Sequence, residues 1–277
     1  MTGALPGPDR HPAPSWLPEL LGWKPATAKS AERCQALFGC RAAPNLADVG
    51  GAESLRITGE IYRSMDIQQQ SDRALDDSAG ASGEAGAALE RHIAEDLLSV
   101  LRQHAPNRGW QVTRQGLASD YAQFEHLRTL QRLFDSHPEL RTTLGRDYQV
   151  RTDVHVGVLN PDDVFAKLFL HAAISCKWTI RSDRVQNVRH EFATLVRNRR
   201  GRLPHLVLVT AEPLPSRLIS IARGTGEVDT VYHLLHDELD AAVAKVATRT
   251  QREHWDELVE QRRIKPYAAL ARDLTLS

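Results

Sequence analysis

Between Tyr148 and Leu159 apolar and polar residues alternate. Tyr148, Val150, Thr152, Val154, Val156 and Val158 fall on one side of a two-residue repeat, with Gln149, Arg151, Asp153 and His155 on the other. This spacing predicts a half-buried strand. Ala172 to Ile180 repeats the pattern, with Ala172, Ile174, Cys176, Trp178 and Ile180 set against Ser175, Lys177 and Thr179. Asp153 and Lys177 are therefore expected on polar strand faces, where they converge if the two strands are neighbours. His205 to Thr210 is continuously apolar after its first residue, as expected of a strand covered on both faces.

Three segments carry a helical period instead. Leu89, Ile93, Leu97 and Leu101 recur every fourth residue after a soft Asp, Ser, Gly and Ala run over Asp76 to Ala85, which predicts a loop and then a helix. A second helix is expected over Ser119 to Ser136, burying Phe124, Leu127 and Phe134. A third should run from a Ser182 N-cap to about Arg200, with Val185, Val188, Phe192, Leu195 and Val196 as its apolar stripe and Gly201 as its stop. Glu191 lies beside that stripe, on the ridge shared with Asp183 and Asn187, where it can point back toward the sheet. Strands interleaved with helices make the chain α/β. Residues 1–30, rich in Pro, Gly and Ala, are expected to form a loose arm, and 31–277 a single domain.

Composition narrows the picture only locally. Lys plus Arg, at 35, equal Asp plus Glu, so no global polycation points to nucleic acid, and a neutral enzyme with a small substrate fits equally well. From Ile174 to Arg217, however, nine cations (Lys177, Arg181, Arg184, Arg189, Arg197, Arg199, Arg200, Arg202 and Arg217) face only Asp183, Glu191 and Glu212. The stretch Gly224 to Asp240 is acidic and has no Lys or Arg. One basic face on a balanced protein is implied. Cys34 and Cys40, with five residues between them, lack the paired spacing of a zinc site. With Cys176 they are expected to be free thiols in a reducing cytoplasm. No apolar run approaches a membrane span, and prolines with Asp9-Arg10-His11 stand where a signal peptide would be apolar.

Asp153 and Glu191 can supply hard oxygen ligands for a divalent cation, and Lys177 a fixed positive charge, the set needed for phosphodiester hydrolysis. The order of an Asp followed by a strand ending in a Lys is that of the PD-(D/E)xK nucleases. Thr152 replaces the Pro of that pattern and Ser175 its second acid, with Glu191, fourteen residues past Lys177, as the substitute. Arg181, Asp183 and Arg184 have the chemistry to read G·C pairs, Arg forking onto guanine and Asp accepting from cytosine. Spacing alone fits a plainer account as well: solvated strand residues, a Glu paired with Arg189 or a cation on the sheet, and a helix first turn with an Asp at its positive end.

The segments His171 to Arg184, Leu195 to His205, Val209 to Arg217 and Gly224 to Asp229 resemble the NgoMIV-type restriction endonucleases, in the Cfr and Bse group of PD-(D/E)xK enzymes. The resemblance is dense from Leu170 to His233, thins toward Asn45 and is absent from the first thirty or so residues. It implies a restriction-endonuclease-like core with a central mixed sheet flanked by helices. By it, Asp153 matches the metal-bridging aspartate, Lys177 the active-site lysine, and Glu191 the relocated acid. Glu90 matches the remaining active-site glutamate, and the Cys176 carbonyl a further metal ligand. Arg181, Asp183 and Arg184 match the readers of a central CCGG, while Asp48 and Arg217 match residues that address the outer base pair. Gly83 stands where the family has a glutamine in the loop before the Glu90 helix. The resemblance further implies two Mg²⁺ ions per active site and cleavage of double-stranded DNA 5′ of CCGG, with GCCGGC as the expected full site. It also implies a homotetramer holding two DNA sites. A palindromic target matched by protein two-fold symmetry calls for at least a dimer. Two rivals share the scaffold: a DNA-binding protein without catalysis, and a repair nuclease, which would not need a reader at Arg181 to Arg184.

Overall fold

The four-residue recurrence of Leu89, Ile93, Leu97 and Leu101 yields one of the long helices of the molecule, Ser82–His104, with all four side chains buried. The computed structural model describes residues 11–69, 82–137, 139, 150–159, 167–224 and 226–276, the side chains of 82–84 and 182–184 excepted. In chain order the described helices are α1 Ala31–Phe38, α2 Ala52–Ser64, α3 Ser82–His104, α4 Glu125–Ser136, α5 Ser182–Asn198, α6 Pro215–Ala222, α7 His236–Val246, α8 Arg249–Glu260 and α9 Leu270–Thr275. The strands are β1 Trp23–Pro25, β2 Ala42–Pro44, β3 Trp110–Arg114, β4 Val154–Val158, β5 Phe169–Lys177, β6 His205–Thr210, β7 Thr230–His233 and β8 Ile264–Pro266.

Strands β3 to β8 form one six-stranded sheet in sequence order. The β3–β4 and β4–β5 pairs are antiparallel, and β5–β6, β6–β7 and β7–β8 are parallel. The chain is thus α/β with a central mixed sheet flanked by helices, as the alternation of strand and helix patterns predicts. Antiparallel neighbours need only short links, whereas each parallel pair needs a crossover, supplied here by α5, α6 and the α7–α8 pair. The register sets Val154 opposite Ile174, so Asp153, one residue before β4, stands beside Ser175 and Cys176.

Several expectations change on folding. Residues 150–153 do not extend β4: Arg151 forms an isolated bridge with Leu117, and the chain bends at Asp153. Tyr148 and Gln149 lie outside the described residues. The faces of β4 and β5 expected to be half-exposed are covered, because His155 and Ser175 are buried beside Val154 and Ile174. The Tyr121 ring closes over His155 at 5.2 Å between centroids. Ala118–Asp120 and Ala122–Phe124 are 3-10 turns, so the helix expected from Ser119 starts at Glu125; Phe124, Leu127 and Phe134 are buried as expected. Arg181, not Ser182, is the N-cap of α5, and that helix stops at Asn198, ahead of Gly201. Helix α3 begins at Ser82, which places Gly83 in its first turn and not in a loop; Asp76 to Ala81 lie outside the described residues.

The lead-in also departs from a loose arm. Leu17 and Trp23 are buried in the main core and Trp23–Pro25 pairs with Ala42–Pro44, because Leu17, Leu21 and Trp23 carry enough apolar surface to be drawn in. Residues 1–10 lie outside the described residues.

Candidate active site

The bend before β4 and the last residue of β5 bring the two predicted strand residues together. Asp153 Oδ2 accepts from the Lys177 ammonium at 2.7 Å, from the Cys176 backbone N–H at 2.7 Å and from the Ser175 hydroxyl at 3.2 Å. All three donors converge on one oxygen; among the described residues no donor reaches Oδ1. Both side chains are about one-fifth exposed, at 22% each, so the pair sits at a surface that solvent reaches without being fully wet.

Glu191, on the third turn of α5, lies within electrostatic reach of both. Burial raises its carboxyl above the usual carboxylate range; Lys177 pulls it back and Asp153 adds to the rise. Glu90, on α3, accepts from the Gln115 side-chain amide at 3.2 Å and pairs with Arg114 at 3.9 Å. Burial pushes the Cys176 thiol well above its usual range, so its sulfur stays protonated and only its carbonyl is suited to a hard cation. Among the described residues no three His, Cys, Asp or Glu side chains close into a metal-ligand cluster. Carboxylates repel one another, and here Lys177 and Arg114 serve as their counter-charges.

Past the carboxyl ends of β5 and β6 the chain opens a cleft lined by Asp48, Arg181, Ser216, Arg217 and the apolar Ile180 and Val185. Arg181 leaves β5 and Arg217 enters α6, so parallel neighbours deliver both arginines to one place, the crevice where open α/β sheets take their ligands. Asp48 arrives from the segment before α2 and is hydrogen-bonded by Arg217. Burial works against ionising Asp48, but hydrogen bonds from Arg217 and the Gly50 N–H hold its carboxyl below the usual range. Asp183 and Arg184 stand in the first turn of α5, beside Arg181; their side chains lie outside the described residues.

Sequence reasoning passed over three residues that shape these sites. Ser175, noted as the replacement for an acid, donates to Asp153. Gln115 has a left-handed backbone, φ 52°, donates its N–H to the Asp153 main-chain carbonyl at 2.9 Å and its side-chain amide to Glu90, tying the Asp153 backbone to the Glu90 carboxylate. Lys24, in the expected arm, donates to the carbonyls of Asn45 at 3.1 Å and Ala47 at 2.8 Å, and so holds the segment that carries Asp48. The strand alternation marks only the face of Ser175, and no periodicity marks Gln115 or Lys24; their roles come from contacts far apart in sequence.

The model of the NgoMIV restriction enzyme family matches residues 31–167 and 165–276. The chain belongs to this family. The type II restriction enzyme NgoMIV of Neisseria gonorrhoeae is 38% identical over 221 residues, 69% of this chain and 77% of that protein. Among solved structures, a complex of the restriction endonuclease PspGI with substrate DNA covers 81% of this chain and 75% of its own at 13% identity and a TM-score of 0.36. A pre-specific complex of the restriction endonuclease BsaWI with DNA covers 84% and 82% at 13% identity and a TM-score of 0.34. As a member of the NgoMIV restriction enzyme family, the chain is a type II site-specific deoxyribonuclease, a hydrolase that binds double-stranded DNA. Among the described residues no helix is long and apolar enough to cross a membrane.

Proposed function

We propose that this enzyme cleaves double-stranded DNA at a palindrome with central CCGG, GCCGGC in full, 5′ of the CCGG, and that it depends on Mg²⁺. The observation that carries the reading is the meeting of Asp153 and Lys177 at 2.7 Å, one strand end away from a cleft lined by Arg181, Asp48 and Arg217. On this reading the group that cuts would lie close to the group that reads, which supports site-specific cleavage.

The donor set suits a hard divalent ion. It is all oxygen, one Asp153 oxygen is free of donors among the described residues, and the Glu191 carboxyl sits where burial disfavours its bare charge. Asp153, Glu191, Glu90 and the Cys176 carbonyl would hold two ions, a number that rests on the family likeness. Ions held there would supply Lewis-acid polarisation of the phosphate and a lowered pKa for the attacking water. Lys177 contributes a fixed ammonium to offset the charge that builds on the phosphate, and Asp153 and Ser175 keep that end of β5 in place. Gln115 orients Glu90.

In the cleft, Arg181 with Asp183 and Arg184 would read the central CCGG from the major groove, and Asp48 with Arg217 the outer pair. Gly83, inside α3, offers no side chain for the loop contact made by a glutamine elsewhere in the family. We further read 31–277 as a single nuclease domain acting as a cytoplasmic homotetramer in a restriction-modification system. Incubating linear DNA with Mg²⁺ and sequencing the ends tests the core of the reading. Ends that fall 5′ of CCGG within GCCGGC are expected; ends scattered over sequence, or none, would overturn it.

A further inference from the structure

Beneath the cleft lies an acid that neither the catalytic cluster nor the base readers include. Glu212 is wholly buried in the short segment between β6 and α6. Its Oε2 accepts the Ile180 N–H at 2.7 Å and lies 3.7 Å from Arg217 Nη1, while its Oε1 accepts the Leu214 N–H at 3.1 Å. Its own N–H donates to the Thr210 hydroxyl at 3.1 Å, and its carbonyl meets His233 Nε2 at 3.0 Å. Ile180 precedes Arg181, and Leu214 is the N-cap of the helix that carries Arg217. One carboxylate therefore hydrogen-bonds both chain segments that lead into the cleft, and forms an ion pair with one of the two arginines.

We propose that Glu212 is a positioning residue for base recognition: it holds one edge of the Arg217 guanidinium and the backbone just before Arg181, so that both arginines meet DNA already oriented. The inference rests on the reading of Arg217 and Arg181 as base readers. Arg217 reaches Asp48 through Nη2 and Glu212 through Nη1, so its planar fork is gripped on two sides. Fixing a long side chain before binding removes the cost of ordering it later, and that saving reaches only the contacts it orients. A buried carboxylate is costly to keep unless several donors hold it, and an apolar residue here would leave the Ile180 and Leu214 N–H groups unpaired.

Burial pushes the Glu212 carboxyl up to about 7, against the pull of the Ile180 N–H, Arg217 and the Leu214 N–H, with Asp48 adding to the rise. Among the described residues the charged or titratable groups facing it are Arg217 from α6, Asp48 from the segment before α2 and His233 from β7, which burial keeps neutral. Protonation removes the attraction to Arg217, so discrimination should fall as the medium passes below neutrality.

The test is the cleavage rate of the full-length enzyme with Mg²⁺ on four duplexes that share CCGG and differ in the outer pair, from about pH 6 to about pH 8.5. For the wild type, the ratio of best to next-best outer pair should rise with pH. In Glu212→Gln it should drop about tenfold at the upper end, within the range one forked arginine contact contributes, and become flat with pH, over and above any equal loss on all four duplexes that comes from leaving one of the Ile180 and Leu214 N–H groups without an acceptor. Glu212→Asp should recover part of the ratio, and it decides the matter together with the wild-type profile if the Gln variant does not fold. A Gln variant with the wild-type ratio and profile would overturn the proposal, as would equal losses on all four duplexes that follow a fall in melting temperature, or a wild-type ratio independent of pH. A wild type that cuts none of the four overturns the CCGG reading first, and this inference with it.

Discussion

Asp153 Oδ2 takes hydrogen bonds from a hydroxyl, a backbone amide and an ammonium at once, and that convergence gives each neighbouring residue a separate expected phenotype. Lys177→Ala removes the fixed charge but not the fold. Cleavage should fall by about 10² to 10³, the usual cost of losing one electrostatic stabiliser of a transition state, while specific DNA binding in a gel-shift assay is retained. A variant that nicks plasmid at the wild-type rate would show that Lys177 has no such role. Arg184→Ala should relax discrimination at the centre of the site by about 1–3 kcal/mol, read as relative cleavage of singly substituted duplexes. Glu212 has a stability signature apart from its place in recognition. Its folded-state pKa, about 7, lies above the ordinary value of 4.5, so the folded chain holds the extra proton between these limits. The associated stability is complete below the lower value and lost as pH rises through the upper one, by at most about 3 kcal/mol. Urea unfolding of the wild type should show that slope relative to Glu212→Gln; equal slopes would mean the carboxyl is not raised.

At the scale of elements, the site depends on which strand end meets which helix face. Helix α3 presents Glu90 on its half-buried side because Leu89, Ile93, Leu97 and Leu101 face inward. Ile93→Ala should cost about 2–5 kcal/mol in denaturant unfolding, the range for truncating a buried aliphatic side chain. The turn after β3 is tighter still. A Cβ on Gly116 would stand 2.6 Å from Nδ1 of His155, whose ring is buried and capped by Tyr121. Gly116→Ala should therefore lower stability by about 1–3 kcal/mol, the usual cost of overpacking, and disturb Gln115 and through it Glu90. A melting temperature equal to the wild type's would show that His155 has room to move. Helix α3 and the apolar stripe of α5 were legible in the chain because each repeats a period over several turns, and strand β6 because its apolar run is unbroken. The starts of β4 and α4 were not, since alternation and amphipathicity run on past the point where pairing and the 3-10 turns of Ala118–Phe124 take over.

Across the whole molecule, zero net charge conceals an uneven division of labour. Part of the basic stretch is structural: Arg189 donates to the carbonyls of Ser220 and Arg223 and pairs with Glu227, and Arg199 turns back onto the carbonyl of Val196. The acidic stretch is likewise used inside the fold, Asp229 capping the Leu206 N–H at 2.8 Å and Asp240 accepting from the Trp255 indole at 2.7 Å. The cations left for phosphate are consequently fewer than the nine counted along the chain. DNA binding should weaken steeply with salt, as phosphate neutralisation demands, but Arg199→Ala should leave that slope nearly unchanged. A slope reduced by about one unit would place Arg199 on a phosphate. Light scattering of the purified enzyme checks the homotetramer, and a monomer or dimer at micromolar concentration would remove it.

The sequence alone determined the class of the fold, the family, and the identity of the residues on which the proposed chemistry rests, because period and residue type are local properties that survive without coordinates. It could not supply the partners of those residues. That Asp153 meets Lys177, that Gln115 bridges Asp153 and Glu90, that Lys24 in a proline-rich lead-in braces the Asp48 segment, and that Glu212 sits beneath both arginines are decided by strand register and by the burial of distant segments against one another. Those are long-range contacts, and only the folded chain brings their two ends together.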